Sequence, residues 1–190
     1  MLMSQREALE ILADQRGDRI VITTMSSTGI WPELSDTPLD FAYNPSSMGE
    51  APPLGLGLAL AQPDRGVIVV NGDGSMLMNL GTLVSIGSNP ANLFVVMLDN
   101  GIYEITGGQP TAGSGRVDYS GLARAAGIER VYAFDTSADW RNAAAEVLAG
   151  SGPAFVWLKV EARFGQKAPR APRPMADQIR RLRQALKVQT

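Results

Sequence analysis

Gly72-Asp73-Gly74-Ser75 stands between a run of β-branched residues and a stretch with helical patterning. Glycine lets a backbone approach a ligand closely, and the free N–H groups of a helix start attract an anion. These residues therefore suit a phosphate cradle. An acid inside such a cradle repels phosphate unless a cation lies between them, so Asp73 implies a bridging Mg2+. A second stretch, Asp99-Asn100-Gly101-Ile102, closes the next apolar run. If the two runs are neighbouring strands, Asn100 arrives beside Asp73 with a neutral oxygen, and the backbone carbonyl of Ile102 adds a third. Diphosphate oxygens and a water would complete an octahedral shell. A lone Gly-Asp-Gly is often a simple turn; strand, acidic glycine loop, helix, strand and Asn-Gly in that order is a stronger pattern.

Composition narrows the chemistry further. The chain has 190 residues, of which 45% are hydrophobic, enough for one α/β domain with a substantial core. It contains no cysteine, which removes disulfides, thiolate nucleophiles and iron–sulfur ligation. It contains no histidine, so it offers no imidazole base, no Ser-His-Asp triad and no His-ligated metal. Any metal must sit among oxygen atoms, which points to a hard cation. With 17 basic against 19 acidic residues, no overall field favours nucleic acid or acidic membranes. Basic residues gather near the end, at Arg163, Lys167, Arg170, Arg173, Arg180, Arg181, Arg183 and Lys187, where a solvated, partly mobile tail is expected. Met1 to Arg19 reads as a charged helix, not a signal peptide, and no apolar run reaches membrane-spanning length; a cytoplasmic protein is expected.

The elements that must position the two loops can be read from periodicity. Ser4 with Glu7 predicts a capped first helix, its apolar side at Ala8, Leu9, Ile11 and Leu12, ended by Gly17. Strands are expected at Ile20–Thr24, Val67–Val70, Leu93–Leu98, Val131–Phe134 and Ala154–Val160, with a short one near Phe41–Tyr43. Helices are expected at Leu54–Gln62, rich in glycine and alanine for close packing, and at Met76–Ile86, Tyr119–Ala126, Ala138–Ala149 and Met175–Lys187. Alternating strands and helices predict an α/β fold, a three-layer parallel sheet with helices on both faces. In such sheets ligands bind beyond the carboxyl ends of the strands. Residues 1–165 would form the binding domain, and 166–190 a Pro/Arg-rich linker with a terminal helix.

On these residues the chain resembles the thiamine-diphosphate enzyme superfamily, whose diphosphate-binding (PP) domain carries Gly-Asp-Gly and, after a helix and strand, Asn. The likeness runs from about Arg19 to Val160. A dinucleotide site is disfavoured because Gly72-x-Gly74 lacks the third glycine of that fingerprint. The resemblance implies thiamine diphosphate and Mg2+ as cofactors, with Gly72, Asp73, Gly74, Ser75, Asn100, Ile102 and Tyr103 binding them. It places Ser46, Ser47, Met48 and Gly49 where these enzymes set a bulky apolar residue under the bent cofactor. Met48 would take that role and the Ser46 carbonyl would accept from the aminopyrimidine.

Within the superfamily the chain is most similar to sulfopyruvate and phosphonopyruvate decarboxylases, through Thr23-Thr24, Ser47-Met48-Gly49, Leu98 to Glu104 and Thr106 to Thr111. It departs at Met25–Trp31, where that group carries an Arg-Glu pair, so this segment supplies no guanidinium for a sulfonate or phosphonate. The resemblance implies decarboxylation of a small 2-oxoacid, with Met48, Tyr103 and Glu104 as catalytic candidates and Gln109 and Thr111 as polar groups facing substrate. Enzymes of this kind need a glutamate on a pyrimidine-binding (PYR) domain. The short stretch before Ile20 leaves no room for it, and Glu50 and Glu104 lie on the diphosphate side. A separate PYR subunit is therefore expected, in an α2β2 or larger hetero-oligomer. The alternatives are a carboligase of the acetolactate synthase type and a catalytically silent regulatory subunit.

Overall fold

Every residue from Val67 to Asn71 and from Leu93 to Leu98 is buried, as central parallel strands covered on both faces require. The computed structural model describes residues 2–186. Its elements are α1 (Gln5–Gln15), β1 (Ile20–Thr23), α2 (Ser27–Ile30), β2 (Asp40–Ala42), α3 (Ala51–Ala61), β3 (Val67–Gly72), α4 (Asp73–Met78) and α5 (Thr82–Gly87). They continue with β4 (Leu93–Asp99), β5 (Ile102–Tyr103), β6 (Gln109–Pro110), α6 (Tyr119–Ala125), β7 (Arg130–Phe134), α7 (Ser137–Ala149), β8 (Ala154–Lys159) and α8 (Met175–Leu186). Six strands pair in parallel in the order β2-β1-β3-β4-β8-β7, while β5 and β6 form a separate antiparallel pair.

Alternation along the central strands sends side chains to two cores. Ile68, Val70, Phe94 and Val96 meet Leu9, Leu12, Trp140 and Val147 of α1 and α7. Val67, Val69, Val95 and Met97 meet Leu56, Leu83, Ile86 and Ala123 of α3, α5 and α6. The expected three-layer arrangement is present. So is the capping box on α1: Ser4 Oγ accepts from the Glu7 N–H at 3.1 Å and Glu7 Oε2 from the Ser4 N–H at 2.8 Å.

Three local expectations need correction. The single helix expected at Met76–Ile86 is two helices, and the first begins at Asp73, directly after the strand. The break falls at Asn79, whose side-chain amide turns away to the Gly49 carbonyl at 3.3 Å. Helix α3 begins at Ala51, because Pro52 and Pro53 fit a first turn that has no use for their missing N–H groups. The basic end is not a free tail. Arg173 grips Asp36 with two hydrogen bonds, at 2.9 and 2.7 Å, and Arg181 joins them at 3.2 Å. Gln178 Oε1 accepts the outward N–H of Ala42 at 2.8 Å, so α8 shields the edge of β2. The expected end of that helix at Lys187 lies outside the described residues. Among the described residues, no helix is long and apolar enough to cross a membrane.

Helix α3 shows why its glycines are where they are. A Cβ on Gly55 would lie 2.3 Å from Val69 Cγ2, whereas one on Gly57 would meet nothing within 4 Å. Gly55→Ala should therefore destabilise the chain by about 1–3 kcal/mol through overpacking. Gly57→Ala should stabilise it by up to about 1 kcal/mol, the helix-propensity gain with no clash. Urea unfolding of both variants checks the pair, and equal effects would refute close packing as the reason for Gly55.

Candidate cofactor site

Strands β3 and β4 are hydrogen-bonded neighbours with Gly72 opposite Leu98, so the loops that follow them start at the same level. Asp73 is the first residue of α4 and 2% exposed. Its Oδ2 accepts from Thr111 Oγ1 at 2.8 Å, and the Thr111 N–H donates to the Gly101 carbonyl at 2.9 Å. The β5–β6 hairpin thus latches the two loops together. Asn100 Oδ1 accepts from the Ile102 N–H at 3.1 Å, which folds the second loop back on itself. Asp99 points elsewhere, accepting from Trp157 Nε1 at 2.9 Å and the Gly101 N–H at 3.1 Å.

A cavity opens at these strand ends. Gly72, Asp73, Gly74 and Ser75 line it from the first loop and α4, and Asn100, Ile102, Tyr103 and Glu104 from the second. Met48 lines it from a third segment. That segment is tied to α4 because the Gly49 N–H donates to Ser75 Oγ at 2.9 Å. Gly74 has no room for a side chain: an added Cβ would lie 2.6 Å from Tyr103 Cε1, so the tyrosine ring seals the loop. Ser46, Ser47 and Gly49 are not among the residues lining this cavity, and neither are Gln109 and Thr111. Gln109 is exposed, and Thr111 is buried beneath the carboxylate of Asp73.

Electrostatics distinguish the two acids on the cavity. Burial pushes the Asp73 carboxyl up to about 6; the Thr111 hydrogen bond opposes the rise and nearby Asp99 adds to it. Glu104 is met by Gln5 Nε2 at 2.9 Å, by Ser26 Oγ, and by Arg163 Nε at 3.0 Å. It is a satisfied, buried ion-pair partner, not a solvated charge. Sequence patterning missed Gln5, Thr24, Ser26 and Asn71, which also line the cavity. Gln5 sits on α1 and leaves no local signal. Asn71 did leave one, as the polar residue that ends a buried β-branched run.

The residues fit a diphosphate with its cation. Among the described residues no three acidic side chains converge as a metal cluster, so a cation here would rest on one carboxylate plus neutral oxygens. Asp73 is an underpaired buried charge, and both polar atoms of Asn71, 1% exposed, have no partner among the described residues. A polar ligand is what such groups require.

Comparisons with known proteins agree with this geometry. The chain is 42% identical over 156 residues to a phosphonopyruvate decarboxylase of Streptomyces viridochromogenes, covering 80% of this chain and 38% of that protein. It is 37% identical over 164 residues to a sulfopyruvate decarboxylase subunit beta of Methanothermobacter thermautotrophicus, covering 85% of this chain and 84% of that subunit. The chain thus spans well under half of the first relative and most of the second. An X-ray structure of a thiamin diphosphate-dependent enzyme from Mycobacterium smegmatis superposes with a TM-score of 0.70 at 21% identity, covering 85% of this chain and 32% of that one. Residues 30–158 match the family described as thiamine pyrophosphate enzyme, C-terminal TPP binding domain, and the chain belongs to that family.

Proposed function

We propose that this chain is the diphosphate-binding subunit of a split thiamine-diphosphate-dependent decarboxylase acting on a small 2-oxoacid that resembles sulfopyruvate or phosphonopyruvate. The observation that carries the proposal is the pairing of β3 with β4, which brings Asp73, Asn100 and Ile102 to one cavity. In this reading Asp73, Asn100 and the Ile102 carbonyl would hold Mg2+, and the start of α4 at Gly72–Ser75 would receive the diphosphate. The Asn100 oxygen has a second lone pair free for a cation while it orients Ile102. Met48 would support the cofactor with its apolar side chain, Tyr103 would close the loop side, and Ser46, outside the cavity lining, would offer its carbonyl to the aminopyrimidine. Thiamine diphosphate bound there supplies an electron sink for the bond broken when a 2-oxoacid loses CO2. Glu104 then orients the Tyr103 loop instead of moving a proton, because its carboxylate is already engaged by Gln5, Ser26 and Arg163.

A separate pyrimidine-binding chain in a hetero-oligomer, and a cytoplasmic location, belong to the same reading. Relatives of matching length are named as beta subunits. Leu54 and Leu60 of α3, Met78 of α4 and Val84 of α5 are 36, 51, 55 and 58% exposed, an apolar surface suited to a partner. Residues 1–165 would form the binding domain and 166–190 the segment with the closing helix, of which Arg173, Gln178 and Arg181 hold the β2 edge of the sheet.

The full chain alone should release no CO2 from sulfopyruvate, phosphonopyruvate or pyruvate, and adding the partner chain should restore release; full turnover without a partner would refute the split. Asp73→Asn should weaken Mg2+-dependent thiamine diphosphate binding at least about tenfold in calorimetry, the loss of one charged ligand. In EDTA, without cofactor, the same variant should be more stable than the parent by roughly 1–3 kcal/mol at pH 7. The sign follows from the raised carboxyl: below the unfolded value near 4 both states are protonated, and from there to about 6 the folded chain holds a proton that the unfolded chain has released, so the parent loses stability across that interval. The difference should therefore open between those limits and stay flat above, and a variant less stable at pH 7 would remove the uncompensated charge from the account.

A further inference from the structure

Among the described residues, the cavity is lined by two acids, Asp73 and Glu104, and by no basic side chain. A 2-oxoacid entering it brings more negative charge, so a cation must meet it at the rim. The segment after β8 brings a cation to Glu104, one of those two acids. Val160 donates its N–H to the Asp99 carbonyl at 2.9 Å and Glu161 donates its own to the Met3 carbonyl at 3.0 Å, which carries the parallel pairing of β8 past the end of β4. Arg163 follows, its Nε 3.0 Å from Glu104 Oε1 and its side chain 41% exposed. Next to it Phe164 lies on Gly108, where an added Cβ would be 3.0 Å from the phenyl ring. The tail segment and the loop after Tyr103 thus clasp each other beside the cavity.

The clasp leaves one edge of the guanidinium unused. Arg163 makes its hydrogen bond through Nε, and its two terminal nitrogens make none among the described residues. Gln5 and Ser26 donate to the other oxygen of Glu104, so the carboxylate is filled without drawing in the terminal nitrogens of Arg163. A planar fork fixed by a buried acid and open at its other end matches the geometry of an oxyanion. Its place matters, because Ser26 belongs to the turn after β1, and Met25–Trp31 contain no basic residue. Arg163, from the far end of the chain, and Ser26 bond opposite oxygens of the Glu104 carboxylate, so the guanidinium is linked to that turn through one side chain.

We infer that Arg163, oriented by Glu104, reads a second anionic group on the substrate, so that the enzyme prefers 2-oxoacids with a phosphonate, sulfonate or carboxylate at the end remote from the keto carbon. This rests on the decarboxylase reading and adds the residue that would set its specificity. The test uses the full chain assembled with its partner, thiamine diphosphate and Mg2+. Calorimetry measures the unreactive probes 3-phosphonopropionate, 3-sulfopropionate, succinate and propionate, and steady-state assays measure KM for phosphonopyruvate, sulfopyruvate, oxaloacetate and pyruvate.

The parent should bind at least one two-anion probe more tightly than propionate. Arg163→Gln should reduce that preference by about 10–100-fold, the worth of a charge-assisted hydrogen bond, with Arg163→Lys between the two. The loss should appear in KM and not in kcat. Because Arg163→Gln strands a buried Glu104, the double variant Arg163→Gln/Glu104→Gln provides a folded control and should show the same loss of preference. An unchanged preference in the double variant, or equal weakening for propionate, would overturn the assignment. If the parent binds the two-anion probes preferentially yet decarboxylates no 2-oxoacid, the anion site stands and the decarboxylase reading falls.

Discussion

Parallel pairing of β3 with β4 is the constraint from which the site derives. Side by side and in register, with Gly72 opposite Leu98, the strands release their loops at one height on one edge of the sheet. Nothing intervenes between the last strand residue and the first helical one at Asp73, so the start of α4 opens directly onto the cavity. Had another strand separated β3 from β4, Asp73 and Asn100 would stand about 10 Å apart from inter-strand spacing alone, too far to share an ion. The β5–β6 hairpin makes the pairing specific, because Thr111 bonds to Asp73 on one side and Gly101 on the other.

That arrangement is not the most stable one for the chain by itself. Asp73 carries a buried charge and Asn71 an unpartnered amide, each disfavoured in the absence of a ligand. Such local conflicts within an otherwise consistent fold concentrate at binding sites. The surrounding structure tolerates them because the runs beneath, Val67–Val70 and Leu93–Leu98, are wholly apolar and packed on both faces. A core of Val, Ile and Phe needs no polar compensation, which leaves the strand ends free to hold groups that do.

The sequence revealed what depends on short-range pattern. Val67–Val70 and Leu93–Leu98 can only be buried strands, and Ser4 with Glu7 states a helix start outright. It misled where a distant atom decides the backbone. Asn79 breaks the α4–α5 run because Gly49 accepts its side-chain amide, and nothing near Asn79 in sequence encodes that bond. The closing helix was legible as a helix, but not its docking on Asp36 and Ala42, since charges in a basic run look alike until their partners are known. For the same reason Glu104 read as a catalytic candidate and not as a paired acid: Gln5, Ser26 and Arg163 lie 99, 78 and 59 residues away from it along the chain.

Two carboxylates on one cavity, both nearly inaccessible to solvent, are treated in opposite ways. Glu104 has a guanidinium, an amide and a hydroxyl, a set that compensates a buried charge fully and holds three segments together. Asp73 has one hydroxyl and the first N–H groups of its helix, with another acid nearby. A group left short of compensation by a well-packed fold is one whose partner arrives from outside, and the missing charge is positive. Compensation, more than burial or position, therefore separates the acid suited to gripping a cation from the acid that braces the loop, and it does so without reference to any relative.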